Sequence, residues 1–240
     1  MLTKSQIQLI KSLDQKKFRQ QHQLFVVEGK KSIAEFLKSD FKLHHLYTTV
    51  DDFERDAKKL THITENELKK ISSLATPQVA LALFEIPKQK PVNDSGLIVA
   101  LDAVRDPGNL GTIIRLCDWF GVKNLVCSDT TVDCFNPKVV QATMGSITRV
   151  DISYVDLEAF LKTSKLQSFG TFMDGDNVYE KELPQNGILI LGNEANGISP
   201  TVESIVNHKI SIPRFGNLQA TESLNVATAT AILLSEFCRR

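Results

Sequence analysis

The sequence predicts an α/β fold in two parts: a small, compact α/β unit over residues 1–90, then a mostly parallel sheet with flanking helices over residues 96–240. Three observations predict it. Strand-like and helix-like segments alternate through the second part, the pattern of a sheet covered by helices on both faces. One of those segments, Ile188 to Leu191, is an unbroken apolar run with glycine on either side, as expected of a strand buried on both faces. Between the parts, "FEIPKQKPVNDSG" (84–96) sets two prolines, an Asn-Asp pair and a glycine between apolar runs and reads as a linker.

In the first part, "LFVVEG" (24–29), "LHHLYTT" (43–49) and "VALALFEI" (79–86) read as strands, and "SIAEFLKS" (32–39) and "TENELKKISSL" (64–74) as helices. Thr64 with Glu67 three residues later fits a capping box at the start of the second helix. In the second part the strands are "GLIVALDAV" (96–104), "NLVCSD" (124–129), "TRVDISYV" (148–155), "QSFGTFM" (167–173), "GILILG" (187–192) and "HKISIP" (208–213). The helices are "NLGTIIRLCDWFG" (109–121), "PKVVQATMGSI" (137–147), "LEAFLKT" (157–163) and "SLNVATATAILLSEFCRR" (223–240).

The 42% hydrophobic composition of this 240-residue chain is enough for a sizeable core. No apolar run approaches the roughly 18 residues that span a membrane, and the first residues lack the apolar stretch of a secretion signal. A soluble cytoplasmic protein with no membrane partner is therefore expected. Four cysteines (117, 127, 134 and 238) form no CxxC pair, so neither a disulfide framework nor a metal site is expected. The net charge is zero, yet the first 31 residues carry Lys4, Lys11, Lys16, Lys17, Arg19, Lys30 and Lys31 against only Asp14 and Glu28. A basic end on a neutral chain is either a phosphate-binding footprint or a solvated helix face.

Three segments of the second part concentrate glycine, amides and single charges just beyond strands, where open parallel sheets bind ligands. "LDAVRDPGNLGTIIRLCDWFG" (101–121) is a strand, a Pro-Gly turn and a helix carrying Asn109 and Arg115. "LILGNEANGIS" (189–199) stops an apolar strand at Gly192 and follows it with Glu194 and the turn pair Asn196-Gly197. "ISIPRFGNLQATESLNVATATAILL" (210–234) ends a strand at Ile212-Pro213 and enters a helix through Ser223, Leu224 and Asn225. Taken singly, each is equally a turn: Asn109 and Ser223 could cap helices, and Glu194 could pair with a surface base. The first is neither GxGxxG nor a phosphate-binding GxxxxGK[ST] loop.

In order, an Asn six residues before an Arg after "DPGN", then "LGNE", then "IP" followed by "SLNV" closely resembles the three motifs of the SpoU (TrmH-type) RNA ribose 2'-O-methyltransferases of the SPOUT class. That resemblance spans residues 96–240. The basic first part, with "FVVEGKKSIAEFL" and "SLATPQVALALFEIP", is similar to the substrate-binding domain that precedes such catalytic domains and to RNA-binding ribosomal proteins of the kink-turn type.

The resemblance implies a deep trefoil knot near the C-terminus, which topological rules alone would not predict. It implies S-adenosyl-L-methionine bent into a pocket of the knotted loops and touching Gly192, Ile212 and Leu224. It implies a homodimer packed through the knots, and rRNA or tRNA as substrate. By the same resemblance Arg115 activates the ribose hydroxyl, with Asn109, Glu194, Ser223 and Asn225 as the remaining polar positions of the site. Because a guanidinium stays protonated, holding a phosphate or supplying field suits Arg115 better than literal base catalysis. The loop over 214–222 is about three residues longer than in many relatives. A Rossmann dehydrogenase would need the glycines this chain lacks, and a bare RNA-binding module would have no use for Arg115, Glu194 and Asn225 together.

Overall fold

The computed structural model describes residues 1–53, 57–216 and 223–239. The chain begins with α1 (Lys4–Ser12), α2 (Lys16–His22), β1 (Leu24–Glu28), α3 (Lys30–Leu37), β2 (Leu43–Thr48), β3 (Leu60–His62), α4 (Glu65–Ile71) and β4 (Ala80–Glu85). It continues with β5 (Leu97–Leu101), α5 (Pro107–Trp119), β6 (Asn124–Ser128), α6 (Pro137–Thr143), β7 (Asp151–Val155), α7 (Leu157–Thr163), β8 (Ser168–Asn177), β9 (Gly187–Leu191), α8 (Pro200–Glu203), β10 (His208–Ser211) and α9 (Val226–Cys238). Two compact units result, residues 1–88 with 133–148, and residues 89–132 with 149–240.

The first unit holds a four-stranded sheet of order β1-β4-β2-β3, antiparallel except for the β2–β3 pair. Alternation along β1 sends Leu24 and Val26 into a core with Ile10, Leu13, Leu68 and Ile71. Phe25 takes the opposite face, where it meets Phe36, Phe84 and Phe135 at centroid distances of 5.6, 6.1 and 4.6 Å. The capping box at α4 forms: Thr64 Oγ1 accepts from Glu67 N, and Glu67 Oε2 accepts from Thr64 N. Leu2 N donates to Glu67 Oε1 at 2.7 Å, and the two backbone donors to this carboxyl, Thr64 first and then Leu2, hold it down at about 2. Strand β3 and helix α8 are too short for a periodic signal, and neither was legible in the sequence.

Arg19 departs from the sequence reading. It is 2% exposed, donates through Nε to Asp133 Oδ2 at 2.9 Å and through an Nη atom to the carbonyls of Leu13 and Asp14 at 2.7 and 2.9 Å. A buried guanidinium with its donors spent inside the protein leaves the set of bases open to phosphate. Lys4, Lys11, Lys16, Lys17, Lys30 and Lys31 remain exposed, Lys30 with Asp52 as its partner.

The second unit is a six-stranded sheet of order β10-β8-β9-β5-β6-β7 in which every pairing is parallel. Its central strands are buried on both faces. Ile98, Ala100, Ile188 and Ile190 pack with Leu157, Ile198 and Val202 on one side. Helices α5 and α9, which pack on each other, bury Leu110, Ile113, Ile114, Leu233 and Leu234. Burial of Cys117 within α5 pushes its thiol up to about 12, so it behaves as an apolar filler. Strand β8 runs past the predicted segment to Asn177, and its pairing with β10 shifts register at Lys209/Ile210.

Removing the Asp133 carboxylate leaves Arg19 buried with its charge unmatched, so Asp133→Ala should lose roughly 3 kcal/mol or more in urea unfolding. Asp133→Asn, which keeps an acceptor, should lose less. Equal midpoints for all three proteins would show that the pair contributes nothing.

Candidate active site

Because β5, β9 and β10 run parallel, their carboxyl ends and the loops that follow share one edge of the sheet. After β5 the chain turns through residues 102–106 into α5, whose N-cap is Asp106; its Oδ1 accepts from Asn109 N at 2.8 Å, and Pro107 occupies the first turn. After β9, Asn193 and Gly197 exchange N–H to carbonyl bonds at 2.9 Å each way, closing the loop on itself. The loop's own return is what requires Gly192: a Cβ there would lie 2.1 Å from the Gly197 carbonyl carbon. Gly197 closes the turn at φ +69°. After β10 the described chain covers 212–216, resumes at 223, and enters α9 at Asn225. Residues 217–222 of the long loop lie outside the described residues.

One side chain joins the three loops. Asn109 donates through Nδ2 to Glu194 Oε1 and accepts at Oδ1 from Asn225 Nδ2, both at 2.9 Å. Asn225 in turn caps α9, its Oδ1 accepting from the N–H groups of Ala227 and Thr228 at 3.0 and 3.2 Å. Asp106 and Asn225, and not Asn109 or Ser223, are therefore the helix caps, and the Asn109 amide is left wholly for contacts between loops. Glu194 is tied to Asn109 and not to Arg115. The amino ends of α5 and α9 both open at this edge, and the partial positive charge of those ends favours an anionic group.

Arg115 is exposed on α5, and among the described residues it has no hydrogen-bond or ion-pair partner. Ser223 is exposed, Leu224 is 48% exposed, and Ile212 is half-buried. Three residues with no mark in the sequence complete the edge. Asp102 is 7% exposed and accepts the Ser199 N–H at 2.8 Å, and Asn193 donates to the Ala103 carbonyl at 2.7 Å. Ser128 accepts from the Ala103 N–H at 2.9 Å. The available signal was a polar residue at or just past the end of each apolar strand, which sequence alone does not separate from a turn former.

A parallel sheet whose loops are drawn together at the carboxyl edge, with amide, carboxylate and guanidinium there, belongs to the class of open α/β folds, in which ligands bind beyond the strand ends. Comparison with known proteins narrows this class. The chain belongs to the SpoU rRNA methylase family, whose model matches residues 96–235, and an MRM3-like substrate binding domain matches residues 4–82. It is 31% identical over 236 residues to the 23S rRNA guanosine 2'-O-methyltransferase RlmP of Bacillus subtilis, covering 93% of this chain and 92% of that one. A TrmH-family structure from Porphyromonas gingivalis superposes with a TM-score of 0.90 at 38% identity, covering 100% of this chain and 99% of that one. An AdoMet-bound rRNA methyltransferase from Sinorhizobium meliloti gives 0.88 at 29% identity, covering 100% and 96%.

Asn109→Asp replaces the donor facing Glu194 with a second carboxylate. It should destabilise more than Asn109→Ala, and a stability cycle of Asn109→Ala with Glu194→Ala should show coupling of about 0.5–1.5 kcal/mol. Additive single effects would mean that the bond is absent in solution.

Proposed function

We propose that the chain transfers the methyl group of S-adenosyl-L-methionine to a ribose 2'-hydroxyl of RNA, with ribosomal RNA favoured over transfer RNA. The observation that carries this reading is the Glu194–Asn109–Asn225 chain of hydrogen bonds at the carboxyl edge, on the helix that carries Arg115, in a member of the SpoU family. Gly192, Ile212 and Leu224 would hold the cofactor, which would supply an electrophilic methyl from its sulfonium. Displacement of this kind gains much of its rate from alignment of the reacting groups, which the three loops of the edge would set. Arg115, without an internal partner among the described residues, would hold an RNA phosphate beside the attacked ribose and offset the charge that grows on the oxygen as it takes the methyl, gives its proton to water and releases S-adenosylhomocysteine. Asn109, fixed at both ends, keeps the α5 loop in register with the other two, Glu194 and Asn225 hold it, and Ser223 faces the substrate at the entry to α9.

On this reading residues 1–90 hold the RNA and residues 96–240 form the knotted methyltransferase domain, working as a homodimer in the cytoplasm without a metal. Among the described residues no group of His, Cys, Asp and Glu is placed to hold a metal, and no helix is long and apolar enough to cross a membrane. RNA binding by the first part rests on its exposed lysines and on the substrate-binding domain model.

Calorimetry should record binding of S-adenosylhomocysteine and not of NADH, and ribose methylation mapped in rRNA from cells with and without the gene should differ at a discrete site. In single-turnover assays Arg115→Ala should lose on the order of 100 to 1,000-fold, and Arg115→Lys should fall between it and the wild type, with S-adenosylhomocysteine affinity nearly intact. Near-normal methylation by Arg115→Ala would end the assignment of that residue. RNA affinity should fall steeply with salt, and replacing both Lys17 and Lys31 with Ala should lower the log-log slope by roughly 0.7 to 0.9 per lost contact. An unchanged slope would move the RNA footprint elsewhere.

A further inference from the structure

Ala103 lies at φ +59°, a left-handed conformation that an L residue with a Cβ adopts only when its surroundings impose it. Its surroundings do so from two sides. The N–H donates to Ser128 Oγ at 2.9 Å, from the carboxyl end of β6, and the carbonyl accepts from Asn193 Nδ2 at 2.7 Å, from the loop after β9. The neighbouring backbone is tied as well. Asp102 N donates to the Leu191 carbonyl at 2.9 Å, Val132 N donates to the Val104 carbonyl at 2.9 Å, and Thr131 Oγ1 donates to the Leu101 carbonyl at 3.3 Å. Ser128 is itself only 9% exposed, so its hydroxyl is committed inside the protein.

Three residues after Ala103 the chain caps α5 at Asp106, so the Ala103 conformation sets the direction in which α5 leaves the sheet. Asn193 has a second task. Its Oδ1 accepts from the N–H groups of Ala195 and Asn196 at 2.9 and 3.3 Å, which shapes the loop that carries Glu194. One amide thus fixes the Glu194 loop with its oxygen and the Ala103 peptide with its nitrogen.

We infer that Ser128 and Asn193 are positioning residues that hold Ala103 left-handed and thereby set Asn109 in place against Glu194, and with it the helix that carries Arg115. Neither touches the reacting atoms; both act through the peptide of Ala103. The rate readout rests on the methyltransferase reading given above, whereas the stability readout does not.

The test uses Ser128→Ala, and Asn193→Asp, which keeps the oxygen that shapes its own loop and turns the donor into an acceptor facing the Ala103 carbonyl. Each is made alone and together with Ala103→Gly, because glycine takes positive φ without strain. Each polar variant should lower the single-turnover rate by about tenfold, the scale of one lost hydrogen bond, with a smaller change in S-adenosylhomocysteine affinity. Adding Ala103→Gly should restore at least half of that loss on a logarithmic scale and should raise the urea midpoint more in either polar variant than in the wild type. A residue that only braced the fold would give no rescue by glycine at position 103. Wild-type rates in both polar variants, or no rescue of either by Ala103→Gly, would overturn the proposal. If the wild-type protein itself methylates no RNA, the function reading fails, and the urea cycle still decides whether the clamp exists.

Discussion

Every strand pairing of the larger sheet is parallel, and the rest of the site depends on that constraint. Parallel strands all end on the same side, so segments far apart in sequence, around residues 102–109, 192–199 and 223–225, are delivered to one edge. The sheet brings them close, but it does not fix their mutual register. That falls to a few side-chain amides, because an amide offers a donor and an acceptor at once and can bind two loops with one residue. Asn109 and Asn193 both work this way, the first across the open face of the edge and the second deeper, against the backbone.

These contacts contribute modestly to stability. Asn109 is half-buried and Glu194 and Asn225 are exposed, so each bond exchanges against water for about 1 kcal/mol. The folding energy resides in the apolar strands and helices, where Ile98 to Leu101 and Ile188 to Ile190 are fully buried. The edge can therefore be specialised for positioning without being needed to hold the molecule together. Arg115 fits the same division of labour, on a helix anchored by Leu110, Ile113 and Ile114 and with its own head group in solvent.

How much could be read in the sequence follows from how local each signal is. The core strands of the second unit were legible because burial on both faces leaves an unbroken apolar run, and the capping box at Thr64 because its partners lie three residues apart. Asn109, Glu194 and Asn225 stood out through the order of their motifs, and the structure adds that they bond to one another. Asp102, Ser128 and Asn193 were illegible because a polar residue after a strand looks the same whether it faces water or grips another loop. Arg19 was misread for the complementary reason: a basic residue in a basic stretch looks solvated until its distant carboxylate, Asp133, is known. Phe135 gave no hint that it joins Phe25, since nothing local to either marks a partner more than a hundred positions away.

The first unit takes residues 133–148 from beyond the middle of the chain, and this bears on the order in which the protein can be made. A ribosome releases the N-terminal strands and Phe25, Phe36 and Phe84 well before it has synthesised Phe135 or Asp133. At about 5–20 residues per second, the stretch from residue 88 to residue 148 takes roughly 3 to 12 s. Through that interval one face of the new sheet carries an aromatic cluster lacking its last ring, and Arg19 lacks its counter-ion. The nascent chain therefore presents a sticky, unfinished surface at a fixed point in translation, where a chaperone or the ribosome's own surface has the most to shield.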